Sequence, residues 1–298
     1  MPAFVRTIGK EHQLEGDYFG FTSTKTYEGH YGHYKHDMLP TIAYYHDTLP
    51  KTTKFILLDR ETIEFIDPDF ARDRVVWIQF NDVVRVSKGS LTVGITPNRP
   101  FLMYHDLLNR LRLWVMKEHP EVPEERTVIY YRRLQSNAKK GRVLNRQQEQ
   151  DVLSRIESAM KHYNRKERLV VFDGTDAHEE EMSLSDQYHL FRSANTIVGP
   201  HGTGLGGNLL WTNPSPKDCE DRVQLLEFIT DGSEELKSVH GSYTTHYNGY
   251  RGLPINYHNL FYLRNSSQAE TFIDSNMVSE FLDDVWGKKR PAAITKEE

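Results

Sequence analysis

The sequence predicts an α/β protein of two domains, the second of them a doubly wound parallel sheet. Its 298 residues exceed the roughly 100–200 residues usual for one domain. The proline-bearing segment HPEVPEE (119–125) breaks a helical pattern and reads as a linker. Beyond it, short β-branched runs alternate with amphipathic stretches, as parallel strands joined by right-handed crossovers do. The expected division is residues 1–120, residues 121–269, and a last helix with a charged, frayed tail over residues 270–298.

In the first half, the polar, Tyr- and Gly-rich lead up to Gly32 reads as loop, and Tyr34 to Thr48 as helix. FILLD (55–59), VVWIQ (75–79), VVRV (83–86) and LTVGI (91–95) are brief apolar runs bounded by charged or turn residues, and predict strands. Met103, Leu107, Leu108, Leu111, Trp114 and Val115 recur at the spacing of one helix face, which ends at His119-Pro120. In the second half TVIYY (127–131), LVVFDG (169–174), TIVG (196–199), LLEF (225–228) and NLFYL (259–263) predict strands. Asn145, with Gln148 three residues on, is an N-cap signal for a helix burying Val152, Ile156, Ala159, Met160 and Tyr163. Ser183 with Asp186 opens another helix, burying Leu184, Tyr188 and Phe191, and a last helical pattern runs from about Glu270 to Trp286.

Composition narrows the function. A formal net charge of -5 gives no electrostatic reason to expect a nucleic-acid partner, so any phosphate must be met locally. The single cysteine, Cys219, has no partner for an intramolecular disulfide and no zinc-site spacing, which fits a reducing compartment. The N-terminal residues lack the apolar core of a signal peptide, and no stretch approaches the length of a membrane span. The chain as given reads as cytoplasmic, as would one trimmed of an anchor.

The strand TIVG runs into GPHGTGLGG (199–207), with Gly199, Gly202, Gly204, Gly206 and Gly207 ahead of Leu209, Leu210 and Trp211. Glycines let a backbone approach phosphate closely, and a helix opening there aims its first amides at an anion. The alternative is a tight turn that needs glycine only for packing. His201 inside the turn can donate to a diphosphate or a sugar hydroxyl, or else sit satisfied in the core. The segment has neither the GK[ST] of a Walker loop nor a clean GxGxxG, which argues against ATPases and dehydrogenases. The first strand of this half ends in Arg132 and Arg133, followed by Lys139, Lys140 and Arg142. Guanidinium groups there can fork onto phosphate oxygens, or the charges can simply serve solubility.

Taken in order, YYRR, GRVLN, SLSDQYHLFRSANTIVGPHGTGL and LLEF resemble glycosyltransferase family 61. GHYGHYKHDMLP (29–40) is similar to the family's N-terminal segment, and the resemblance covers roughly residues 30 to 265, thinning between Asp59 and Glu125. It departs at Thr203, where the family has alanine, and at Gly206-Gly207, which precede Asn208. The resemblance implies a GT-B architecture, two facing Rossmann-like domains with an interdomain cleft, the last helix crossing back to the first domain. It implies an inverting reaction with a donor such as UDP-xylose, UDP-arabinose or UDP-N-acetylglucosamine and a glycan acceptor. The UDP-sugar is a substrate, and no cofactor and no metal are expected. A pentose is favoured among the sugars. The donor-side residues carried over are Arg132 or Arg133, Arg142, Asn145, Gln187, the turn Gly199, His201, Gly202, Thr203, Gly204 and Leu205, and Glu227, the last for a ribose or sugar hydroxyl. Asp173 and Asp176 stand at a neighbouring strand end.

Direct displacement needs a base for the acceptor hydroxyl and a charge sink for the departing UDP. The base falls on Asp37, alone or with His36, in the cluster His33, His36 and Asp37, whose spacing places them on one side of a helix start. A two-histidine metal site at His33 and His36 lacks an assured third ligand. His105, His240, His246 and His258 read as surface or core residues, and the aromatic stretch 242–257 as sugar-stacking or interior packing. The rival function is a non-catalytic nucleotide-sugar- or carbohydrate-binding module on the same fold. Phosphoryl transfer lacks its Walker lysine and metal carboxylates.

Overall fold

The computed structural model describes residues 9–21, 38–79, 82–94, 105–121, 123–133, 144–175, 178–212, 222–231, 255–264 and 271–287. They fall into two compact units, one within Met1–Glu121 together with Ser183–Ser185, the other within Val122–Met182 and Asp186–Glu298. Both are α/β units on parallel sheets, which is the predicted class.

The first unit runs β1 (Glu11–Glu15), β2 (Tyr18–Phe21), α1 (Leu39–Thr48), β3 (Lys54–Leu57), α2 (Arg60–Ile66), α3 (Pro68–Arg74), β4 (Val75–Trp77), β5 (Val83–Lys88), β6 (Leu91–Gly94) and α4 (His105–Glu118). Its four-stranded sheet has the order β4-β3-β2-β6 with every pair parallel, and β1 pairs with β5 apart from it. The segment up to Gly32, expected as loop, therefore carries two strands, one of them central. Periodicity misses β2 because Tyr18, Phe19 and Gly20 are all buried, so no polar face alternates with the apolar one. In β1 the alternation is there, but among polar residues. Helices α2 and α3 each begin at an aspartate whose side chain accepts an early backbone amide, Asp59 from Thr62 and Asp67 from Phe70, with Pro68 in the first turn of α3.

Asp67 also ties the helices together. Its Oδ1 accepts from the Phe70 amide at 2.8 Å and its Oδ2 from Trp114 Nε1 at 3.0 Å. His46 of α1 stacks on Trp114 with ring centroids 4.4 Å apart. Burial holds the His46 imidazole below its usual pKa, against the opposing effect of its hydrogen bond to Asp47. The unfolded chain takes up this proton near pH 6.5 and the folded chain only at lower pH, so stability is full above about 6.5 and falls as pH drops through the folded value. Thermal unfolding between pH 7.5 and 5 is expected to fall less steeply for His46→Phe than for the wild type; parallel curves would remove His46 as the cause.

The second unit runs β7 (Thr127–Tyr131), α5 (Arg146–His162), β8 (Arg168–Phe172), α6 (Leu184–Ser193), β9 (Ala194–Pro200), α7 (Thr203–Leu209), β10 (Val223–Asp231), β11 (Ile255–Arg264), β12 (Thr271–Phe272) and α8 (Ser275–Gly287). The sheet order is β12-β11-β10-β9-β7-β8, parallel except where β12 meets β11. Strand β7 is buried along its whole length, as a strand covered on both faces must be. On one face Val128, Tyr130, Val198, Leu226, Phe228 and Leu260 pack with Val152 and Ile156 of α5 and Val278, Phe281 and Leu282 of α8. Period-two geometry sends Ile129, Tyr131, Ile197 and Gly199 to the other face. Phe172, at the end of β8, meets Phe191 of α6 edge-on, centroids 5.1 Å apart.

Helix α8 lies on α5 of the same unit. Tyr163 donates to Asp283 at 2.9 Å, and buried Trp286 donates to Thr196 Oγ1 at 3.3 Å. Among the described residues no helix is long and apolar enough to cross a membrane.

Candidate active site

Strand β7 has β8 on one side and β9 on the other, so the crossover direction reverses between β7 and β9. In a doubly wound sheet the ligand crevice lies outside the carboxyl ends of the strands at such a reversal. Here those ends carry Tyr131, Arg132 and Arg133 on one strand and Gly199, Pro200 and His201 on the other.

Tyr131 accounts for three of the turn's glycines. A Cβ on Gly199 would stand 2.5 Å from the Tyr131 carbonyl oxygen, and one on Gly204 2.8 Å from the Tyr131 hydroxyl. A Cβ on Gly202 would stand 3.2 Å from Arg133 Nη1 and 3.3 Å from that hydroxyl. Among the described residues positive φ occurs at Gly16, Gly89, Gly174, Asn164 and Glu179, so Gly199, Gly202 and Gly204 answer to close approach and not to left-handed backbone. The Leu205 amide donates to the Tyr131 hydroxyl, whose pKa burial raises against an opposing effect of Arg133. Gly199→Ala is expected to cost about 1–3 kcal/mol or more in urea unfolding, because the obstacle is backbone. Gly204→Ala meets the far end of a side chain and is expected to cost less; equal losses would count against this account.

The two strand-end arginines separate. Arg132 donates to Glu149 of α5 through Nε at 2.8 Å and lies 3.6 Å from Asp173, so its guanidinium ties β7 to α5 and the end of β8. Arg133 donates through Nη1 to the His201 carbonyl at 2.8 Å, which holds it against the turn. Asp173 also accepts from the Thr175 amide at 3.0 Å and hydroxyl at 2.6 Å, closing its own turn.

His201 is fixed through backbone and ring alike. Its amide donates to the Phe228 carbonyl at 2.8 Å, and its Nδ1 meets Glu227 Oε1 at 2.8 Å. The His201 side chain is 22% exposed and that of Glu227 0%. Glu227 Oε2 accepts from the Tyr257 hydroxyl at 2.5 Å. The carboxylate expected to reach a sugar hydroxyl is thus a buried anchor with both oxygens engaged by protein. A buried carboxylate beside an imidazole fixes the orientation of the ring. Burial, then the Glu227 charge, raises the Tyr257 pKa, so the phenol stays a donor.

The other expected residues brace this region. Asn145 Oδ1 accepts from the Gln148 amide at 2.9 Å and so caps α5. Gln187 donates to the Met182 carbonyl at 2.8 Å and accepts from buried Asn208 at 3.2 Å, linking α6 to α7. Thr203 opens α7, and Leu205 in its first turn is buried. His258 meets Phe281 edge-on. Lys139, Lys140, Arg142, Asp176, Cys219, His240, His246 and the cluster His33, His36 and Asp37 lie outside the described residues, as does the side chain of His105. Tyr131 is legible as the residue before the arginine pair at a strand end, and Tyr257 only as the last member of the aromatic stretch 242–257.

The family described as Glycosyltransferase 61 matches residues 31–217, well over half of the chain. No curated protein matches it. Among solved structures, the bacterial iron-containing dodecameric glycosyltransferase TibC from enterotoxigenic E. coli H10407 is similar with a TM-score of 0.35 and 10% identity, over 73% of this chain and 59% of that one.

Proposed function

We propose, from the premise that the chain belongs to the glycosyltransferase 61 family, that it transfers a sugar with inversion from a UDP-sugar to a hydroxyl of a glycan, without a metal. The observation that supports this most is the meeting of Arg133, His201 and the amides opening α7 beside the reversal between β7 and β9. There a cation, an imidazole and the first backbone N–H groups of a helix stand at one strand end, where a diphosphate would lie.

In the reaction the acceptor oxygen bonds to the anomeric carbon as the bond from that carbon to the UDP oxygen breaks. The acceptor's proton passes to Asp37, alone or paired with His36, with His33 beside them. The charge left on UDP is met by Arg133, Arg142 and the protonated ring of His201. Arg132 and Asn145 contribute by holding the strand end and α5 in place, and Glu227 by holding His201.

A thermal-shift and donor-hydrolysis screen over UDP-, GDP- and dTDP-sugars, with and without chelator, tests this reading, with UDP-xylose ahead of UDP-arabinose and UDP-N-acetylglucosamine. A UDP-sugar that is hydrolysed equally in chelator supports it; turnover confined to another nucleotide, or abolished by chelator, overturns the donor or the metal independence. His201→Ala is expected to weaken UDP about tenfold by calorimetry, the loss of one hydrogen bond to a charged group. Unchanged affinity would remove His201 from the site.

A further inference from the structure

Glu227 is held from two sides. It lies opposite Gly199 of β9 and Asn259 of β11, while Tyr257 lies opposite Leu225, two residues earlier on the same strand. With a side-chain period of two, Tyr257 and Glu227 share one sheet face as diagonal neighbours. It is the face of Tyr131 and Gly199, opposite the core under α5 and α8. Three consecutive strands of the sheet thus supply a line of side chains: Tyr257 from β11, Glu227 from β10, and His201 just past the end of β9.

We propose that Tyr257 is a positioning residue of the donor site, acting through Glu227 to hold the His201 ring in one orientation and one tautomer toward the diphosphate of a nucleotide sugar. This rests on the reading of the turn as a diphosphate site.

The chemistry follows from the two oxygens of one carboxylate. The phenol of Tyr257 donates to Oε2 at 2.5 Å and so fixes the plane of the carboxylate. Oε1 then faces His201 Nδ1 at 2.8 Å. A carboxylate accepts and does not donate, so the proton of the neutral ring sits on Nδ1. Nε2 becomes the nitrogen that gains the second proton and donates it in a hydrogen bond to a phosphate oxygen. Take away the phenol, and Oε2 loses a donor in a site with no exposed carboxylate surface. The carboxylate then turns to recover one, and Oε1 no longer holds the ring.

A double-mutant cycle on the whole chain separates this role from a merely structural one. The UDP dissociation constant is measured by calorimetry for the wild type, Tyr257→Phe, His201→Ala and the double variant. Tyr257→Phe is expected to weaken UDP about fivefold in the wild type and to add less than about twofold once His201 is alanine. Equal weakening in both backgrounds, or none in either, overturns the proposal. In 15N-histidine spectra without ligand, the His201 ring is expected to be protonated at Nδ1 in the wild type and to shift toward the other tautomer in both Tyr257→Phe and Glu227→Gln. An unchanged ring in both variants likewise overturns it. Failure of the donor-site reading looks different: the wild type binds no UDP, or His201→Ala binds it unchanged, while the ring spectra still respond to Tyr257. In that case the diphosphate part of the proposal falls with the reading on which it rests.

Discussion

Glu227→Ala is expected to lower the stability of the chain by on the order of 3–5 kcal/mol, the largest loss for any single residue of the site. The side chain is wholly buried and accepts from two donors that have come to it from different strands. Alanine leaves a cavity and strands the Tyr257 hydroxyl and the His201 ring, each such loss costing about 1–3 kcal/mol. Glu227→Gln keeps the volume, its one oxygen still accepting from the Tyr257 hydroxyl while its amide donates to an unprotonated His201 Nδ1, so its loss is expected to be nearer 1–2 kcal/mol. Urea unfolding of both variants distinguishes them, and an Ala variant as stable as the wild type would mean that the buried anchor does not exist. UDP affinity is expected to fall in the Ala variant as well, because His201 loses its aim.

Asp37→Asn is expected to have the largest effect on turnover. A general base contributes about 10²–10⁴ in rate, and an amide cannot take the acceptor's proton. The loss should appear in kcat with the UDP dissociation constant nearly unchanged, since the proposed diphosphate contacts come from Arg133, His201 and the turn. Transfer is measured with the donor that the hydrolysis screen selects, and nucleotide affinity by calorimetry. Parallel losses of transfer and of UDP binding would remove Asp37 from the role of base.

These two residues differ in how they were legible. Asp37 stands out only by its neighbours, His33 and His36, and by the family resemblance. Glu227 is visible as the one charged residue in the apolar run LLEF, but its burial and its two partners are not. The strands of the second half could be read directly because their apolar runs are bounded by turns and caps. TVIYY became β7, and Asn145 capped its helix as its spacing with Gln148 suggests. The short elements of the first half were missed where that contrast fails. Strand β2 is buried on both faces and has no polar alternation. Helices α2 and α3 are seven residues each, too short for a periodic stripe, although Asp59 and the Asp67-Pro68 pair mark their starts.

Local sequence, then, determined where the chain becomes strand or helix in the second half, and it singled out the arginine pair, the histidine turn and the late glutamate as a set. Those are properties of neighbours within a few residues, or of an ordered pattern that survives without coordinates. Which of Arg132 and Arg133 faces the turn, why Gly199 leaves no room for a Cβ, and what holds His201 were decided only by the register of parallel strands. Glu149, Tyr131 and Tyr257 are brought to the site from other elements of the second unit, and in Tyr257 from some 30 residues beyond its partner. Parallel pairing joins residues far apart along the chain through backbone hydrogen bonds. Such a pairing leaves no signal in the spacing of the side chains that it brings together.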